Sequence, residues 1–132
     1  MDEVMQEFLI EAREMLRDYR EVMDALSSEK VIPGENLERA YRAMHTIHGA
    51  SGFLALASLE ELSGHAECLL WHLKETAQPP SVEEKLLLQR IEHTCGKILG
   101  RLERKGAEGP PPALLSEILE RTEHGSGRKH NE

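Results

Sequence analysis

Residues 81–102 read SVEEKLLLQRIEHTCGKILGRL, and their spacing decides the fold class. Leu87, Ile91, Cys95, Ile98 and Leu102 recur every three or four residues, the period of one helix face. Ser81-Val82-Glu83-Glu84 ahead of them has the pattern of a capping box, in which a serine side chain and a glutamate satisfy the first free amides of a helix. Toward the N-terminus the same pattern returns as Ser58-Leu59-Glu60-Glu61. It predicts a helix with the stripe Leu59, Leu62, Ala66, Leu69 and Leu73, ended by Gln78-Pro79-Pro80. A further stripe, Leu37, Ala40, Met44 and Ile47, predicts a helix from Glu35 or Asn36 to about Gly52. The first segment, Asp2 to about Leu26, carries Val4, Phe8, Met15, Tyr19, Val22 and Leu26 on one face, with Asp2 as its N-cap. Ser27 to Gly34, with Pro33-Gly34, reads as a connector.

Beyond residue 104 the chain turns rich in Gly and Pro. Residues 105–112 read as a linker, 113–122 as a short fifth helix with Pro112 at its start, and 123–132 as a polar, disordered tail. The expected architecture is all-α: an up-down antiparallel four-helix bundle over residues 1–104, with a short fifth C-terminal helix. Each helix alone is marginal in water, so burial of the shared stripes must hold the set together.

Composition agrees and narrows the function. Only 4 % of the 132 residues are aromatic, which suits a bundle better than a sheet. A net charge of −8 argues against nucleic acid as a partner, and the cluster Arg101, Arg104 and Lys105 is too small to reverse that. No apolar run approaches the roughly 20 residues of a membrane span, so no membrane insertion is expected. The two cysteines, Cys68 and Cys95, have no framework spacing and read as free thiols in a reducing cytoplasm. There is no GxxxxGK[ST] and no GxGxxG, so the chain carries no recognisable nucleotide loop.

The chemistry concentrates in His45-Thr46-Ile47-His48-Gly49-Ala50-Ser51-Gly52. At about 100° per residue, His45 falls about 160° from Ile47 and so projects away from the core. His48, Gly49 and Gly52 lie within about 60° of it on the same face. Glycine in a helix costs about 0.5–1 kcal/mol relative to alanine, and a plain solvated face gives no reason for two of them. A surface that another protein must approach closely does. On the next helix, Glu67 flanks the stripe about 100° from Ala66, where a carboxylate can accept a hydrogen bond from one ring nitrogen of a histidine. That fixes the tautomer and leaves the other nitrogen as a nucleophile.

Residues 45–70, HTIHGASGFLALASLEELSGHAECLL, resemble the histidine-phosphotransfer (HPt) domains of CheA-type chemotaxis sensor kinases. Phe8-Leu9-Ile10-Glu11-Ala12 is similar to the family's first helix, Tyr41-Arg42-Ala43-Met44-His45 to its approach to the histidine, and the likeness covers about residues 4–104. The resemblance implies that His45 is phosphorylated, that Glu67 orients its imidazole, and that Gly49 and Gly52 clear the surface for a partner. It implies that the chain is a fragment of a protein histidine kinase and no enzyme by itself. Phosphoryl would come from ATP on a separate kinase domain and pass to an aspartate of a response-regulator receiver domain. ATP and Mg²⁺ would be bound by those partners, with no cofactor in this domain.

Two positions depart from the family. Its usual lysine, a permanent cation, is His48 here, and a further histidine of the family is Gly64. His65, next in sequence, points about 160° away from Glu67 and does not substitute. Two alternatives remain open at this level. One is a non-catalytic helical docking module with a degenerate acceptor. The other is a metal-binding bundle using His65, Cys68 and His72, which share a helix flank.

Overall fold

The structure, a computed structural model, describes residues 2–28 and 34–120. Four long helices account for most of them: α1 (Glu3–Ser28), α2 (Gly34–Phe53), α3 (Ala57–Thr76) and α4 (Val82–Lys105). A short α5 follows at 113–120, and no strand occurs among the described residues. Most of the expected connector between α1 and α2, the last two residues expected in the fifth helix and the tail at 123–132 lie outside the described residues.

Each helix packs against the next, and α4 returns to α1, so the four form a closed up-down ring with its core along the axis. Paired residues fix the antiparallel register. Arg13 meets Glu103 and Arg20 meets Glu92 across α1 and α4; Arg39 meets Glu21 across α2 and α1; Lys74 meets Glu38 across α3 and α2. The axis is filled by Tyr19, Met23, Leu26, Met44, Ile47, Leu59, Leu62, Leu70, Leu73, Leu88, Ile91 and Leu99, all fully buried. Burying such side chains contributes about 1.5–3 kcal/mol each, far more than any single surface ion pair. Tyr19 keeps its hydroxyl satisfied in this core by donating to the Leu88 carbonyl at 2.9 Å. No helix among the described residues is long and apolar enough to cross a membrane.

The expected stripes hold, with a few phase corrections. In the run Leu86-Leu87-Leu88 it is Leu88 that is buried, while Leu86 is exposed and Leu87 only half-buried. Likewise Leu70 replaces Leu69 in the core. Val4 is exposed. It stands in the first turn of α1, outside the buried face that begins at Phe8 and Leu9.

The helix starts differ more. Asp2 caps α1 as expected, its carboxylate accepting the Met5 amide at 2.8 Å. The Ser81 capping box forms in full, with Glu84 N–H to Ser81 Oγ at 3.0 Å and Ser81 N–H to Glu84 Oε1 at 2.8 Å. The box expected at Ser58 does not form. There α3 begins two residues earlier than that box would place it, Leu56 occupies the cap position without a side-chain bond, and Ser58 is buried inside the first turn. The amides of Ser58 and Leu59 are taken instead by Glu108, at 3.3 and 2.9 Å. A carboxylate at a helix N-terminus also meets the positive end of the helix dipole. The segment after α4 is thereby tied back onto α3, and Leu114, Leu115 and Ile118 of α5 join the same core.

The α2–α3 turn matters most for the site. Leu56 N–H bonds the Ser51 carbonyl at 2.9 Å and Ala55 N–H bonds Gly52 at 3.2 Å, with Ala55 left-handed at φ 58°. This pair of bonds is the Schellman ending of a helix. It reverses the chain tightly enough to lay α3 along the full length of α2.

Candidate functional site

His45 sits mid-way along α2. Because Met44 and Ile47 are buried beside it, its ring must leave on the opposite edge, and its side chain is 64 % exposed. Tyr41, one turn earlier, stacks on the imidazole with ring centroids 5.7 Å apart and planes 13° from parallel. Tyr41 in turn leans on Trp71 of α3 at 5.5 Å, and the Lys74 ammonium lies 5.2 Å from the Trp71 ring. Behind these rings an open cleft of about 490 Å³ is lined by Tyr41, Glu67, Cys68 and Trp71.

Glu67 reaches across from α3. Its Oε2 lies 3.3 Å from His45 Nδ1 and its Oε1 lies 2.9 Å from His48 Nδ1. The carboxylate is mostly buried, at 19 % exposure, so water competes weakly for it. A proton on Nδ1, facing this acid, leaves the lone pair of His45 on Nε2. That nitrogen is the one turned away from Glu67, on a ring open to solvent. The arrangement is an oriented nucleophile: imidazole, carboxylate orienter and free approach.

The glycines expected to clear the surface part company. At Gly49 a Cβ would meet nothing within 4 Å, so the ridge beside His45 is open. Gly52 is exposed as well, but a Cβ there would come within 2.7 Å of Glu60 Oε2, the mobile end of a side chain from α3 that would have to swing aside. Phe53, the last residue of α2, is 85 % exposed beside them.

Sequence reasoning placed His45 and Glu67 in one site and missed two partners. Tyr41 lies four residues before His45, a spacing that puts it over the same face, so its stacking was readable. His48 was read only as a replacement for lysine; its bond to Glu67 depends on how α3 lies against α2. His65, Cys68 and His72 are not gathered: among the described residues no three His, Cys, Asp or Glu side chains are placed to hold a metal. Burial shifts the His65 imidazole below its ordinary value, with Glu61 opposing that shift.

An all-helical bundle presenting an acid-oriented, exposed histidine is the form of a phosphoryl carrier, and the comparison with protein families gives the same class. The model of the family described as Hpt domain matches residues 3–124, and the chain belongs to that family. Hpt domains are the phosphotransfer modules of two-component phosphorelays; they work with kinase and response-regulator domains and are not catalytic on their own. Neither the comparison with curated proteins nor that with solved structures finds a significant match.

Proposed function

We propose that this chain is the phosphoacceptor domain of a chemotaxis-type, CheA-like sensor kinase of the cytoplasm, with His45 as the residue that carries the phosphoryl group. The observation that supports it is the pairing of a 64 % exposed imidazole with a mostly buried carboxylate at its Nδ1. ATP and Mg²⁺ stay with the partner domains. His45 Nε2 attacks the γ-phosphorus of ATP bound to the kinase domain. The new N–P bond forms as the P–O bond to ADP breaks, and ADP leaves with that electron pair. The ring becomes a cation that still holds its Nδ1 proton, and the charge of Glu67 stabilises it.

Transfer onward reverses the ring's role. A receiver-domain aspartate attacks the same phosphorus, with Mg²⁺ supplied by the receiver, and the N–P electron pair returns to Nε2. No proton need leave the ring at either step, because Glu67 holds Nδ1–H throughout. Tyr41 limits the ring's rotation from one face. The open position at Gly49 gives the approaching domain a path to the ring.

Incubation with the ATPase core of a chemotaxis-type kinase and radiolabelled ATP tests this. Label should enter the wild-type chain and should be absent from His45→Gln. Equal labelling of the two proteins would defeat the proposal.

A further inference from the structure

Glu67 does not serve His45 alone. Its two oxygens are divided between two rings, both through Nδ1, and the shorter contact, 2.9 Å, is to His48. His48 reaches it across Gly64, which stands one turn before Glu67 on α3. A Cβ built on Gly64 would stand 3.4 Å from His48 Cε1 and 3.5 Å from its Nε2. The ring thus lies over Gly64 with room for a methyl between them. A methyl there would only touch it; any longer side chain would take its place. The two departures from the family pattern, a histidine at 48 and a glycine at 64, are therefore one steric unit.

We propose that His48 is a positioning residue: it anchors the Glu67 carboxylate so that the second oxygen is held toward His45 and keeps that ring's proton on Nδ1. This rests on the reading of His45 as the acceptor and adds the residue that aims its orienting acid. A carboxylate on a flexible side chain, bonded only to a largely exposed ring, loses that bond easily to side-chain rotation. A second donor fixes the carboxylate plane before His45 engages, as supporting hydrogen bonds do around other functional groups. His48 itself is less suited to accept phosphoryl, because its side chain is only 38 % exposed and its Nε2 edge rests on α3.

The proposal differs from a simple substitute for the family's lysine. A substitute cation acts by charge, whereas an anchor acts by donating a hydrogen bond from the Nδ1 position. Asparagine can place an N–H there without charge; leucine cannot. Two readouts are needed: the tautomer of His45, from the ¹⁵N shifts of its ring in the free protein, and the rate of labelling by the kinase core. In His48→Leu, His45 should move toward the mixed tautomers of a free imidazole and labelling should slow about fivefold, the worth of one net hydrogen bond. His48→Asn should restore most of both. Gly64→Leu should reproduce the His48→Leu tautomer change with His48 intact, and Gly64→Ala should change it less. A melting curve for each variant separates these effects from loss of the fold.

If the His45 tautomer is the same in wild type, His48→Leu and Gly64→Leu, the anchoring role is overturned, while labelling confined to His45 would leave the acceptor assignment standing. If His48→Asn is as impaired as His48→Leu, the hydrogen-bond mechanism is overturned. If label is found on His48 and persists in His45→Gln, the assignment of the acceptor itself falls.

Discussion

The seam between α1 and α4 and the seam between α2 and α3 are built from the same helix geometry and used differently. Across α1–α4 the polar groups are spent on holding the helices together: Tyr19 donates into the core, Arg20 pairs with Glu92, and Arg13 with Glu103. Across α2–α3 the central polar contact is a mostly buried carboxylate shared by two histidines, one of them open to solvent. The first seam stabilises and presents nothing. The second leaves the surface open at Gly49 beside one ring and lays another ring over Gly64. Stability and function are thus separable in this bundle, and substitutions on the two seams should show it.

The largest stability effect is expected on the frame. Leu99→Ala removes a fully buried side chain of α4 and should cost about 3 kcal/mol, read as a fall in the denaturation midpoint. A fall under about 1 kcal/mol would show that α4 is not closing the core.

Alkali should act on the same seam. Burial pushes the Cys95 thiol up to about 12, with Glu92 and Glu108 adding to it, and burial likewise raises the Tyr19 hydroxyl well above its ordinary value. Both groups stay neutral in the fold but ionise in the unfolded chain, so the unfolded state loses protons first. Their contribution is intact below the unfolded thiol's value of 9.0 and is lost as pH rises above it, by up to about 1.4 kcal/mol per pH unit for Cys95. Denaturation midpoints measured from pH 8 to 11 should fall, and Cys95→Ala should flatten the first part of that fall. An unchanged slope would remove Cys95 from the explanation.

Glu67→Gln inverts the pattern. It should cost less than about 1 kcal/mol of stability yet slow phosphoryl acceptance about tenfold, because the amide cannot balance the charge the ring gains. A large loss of stability with normal labelling would make Glu67 part of the frame. The smallest effect belongs to Glu108→Ala, which leaves the first amides of α3 uncapped and should cost about 1 kcal/mol without touching the rate.

The helices were legible in the sequence because a period of three and four residues is a local property. So was the Ser81 box, where cap and reply lie in one turn. Ser58 shows the limit. The same letters stand at the start of α3, but Glu108, distant in sequence, occupies the amides, and no local reading finds it. Phase in Leu86-Leu87-Leu88 was equally open, since three adjacent leucines satisfy the pattern in more than one rotation. At the site, the exposure of His45 followed from helix phase, while its pairing with Glu67 came from the family resemblance. The bond from His48 required knowing that Gly64 lies beneath its ring, which is a fact about how α2 and α3 slide against each other.

The phosphorylated protein itself offers the most direct test. Its ring nitrogens and phosphorus can be correlated by ¹⁵N and ³¹P NMR, which reports both the residue and the atom that carry the group. Phosphorus is expected on Nε2 of His45, with a proton retained on Nδ1 toward Glu67. Phosphorus on Nδ1 of His45, or on any ring other than His45, would contradict the site described here.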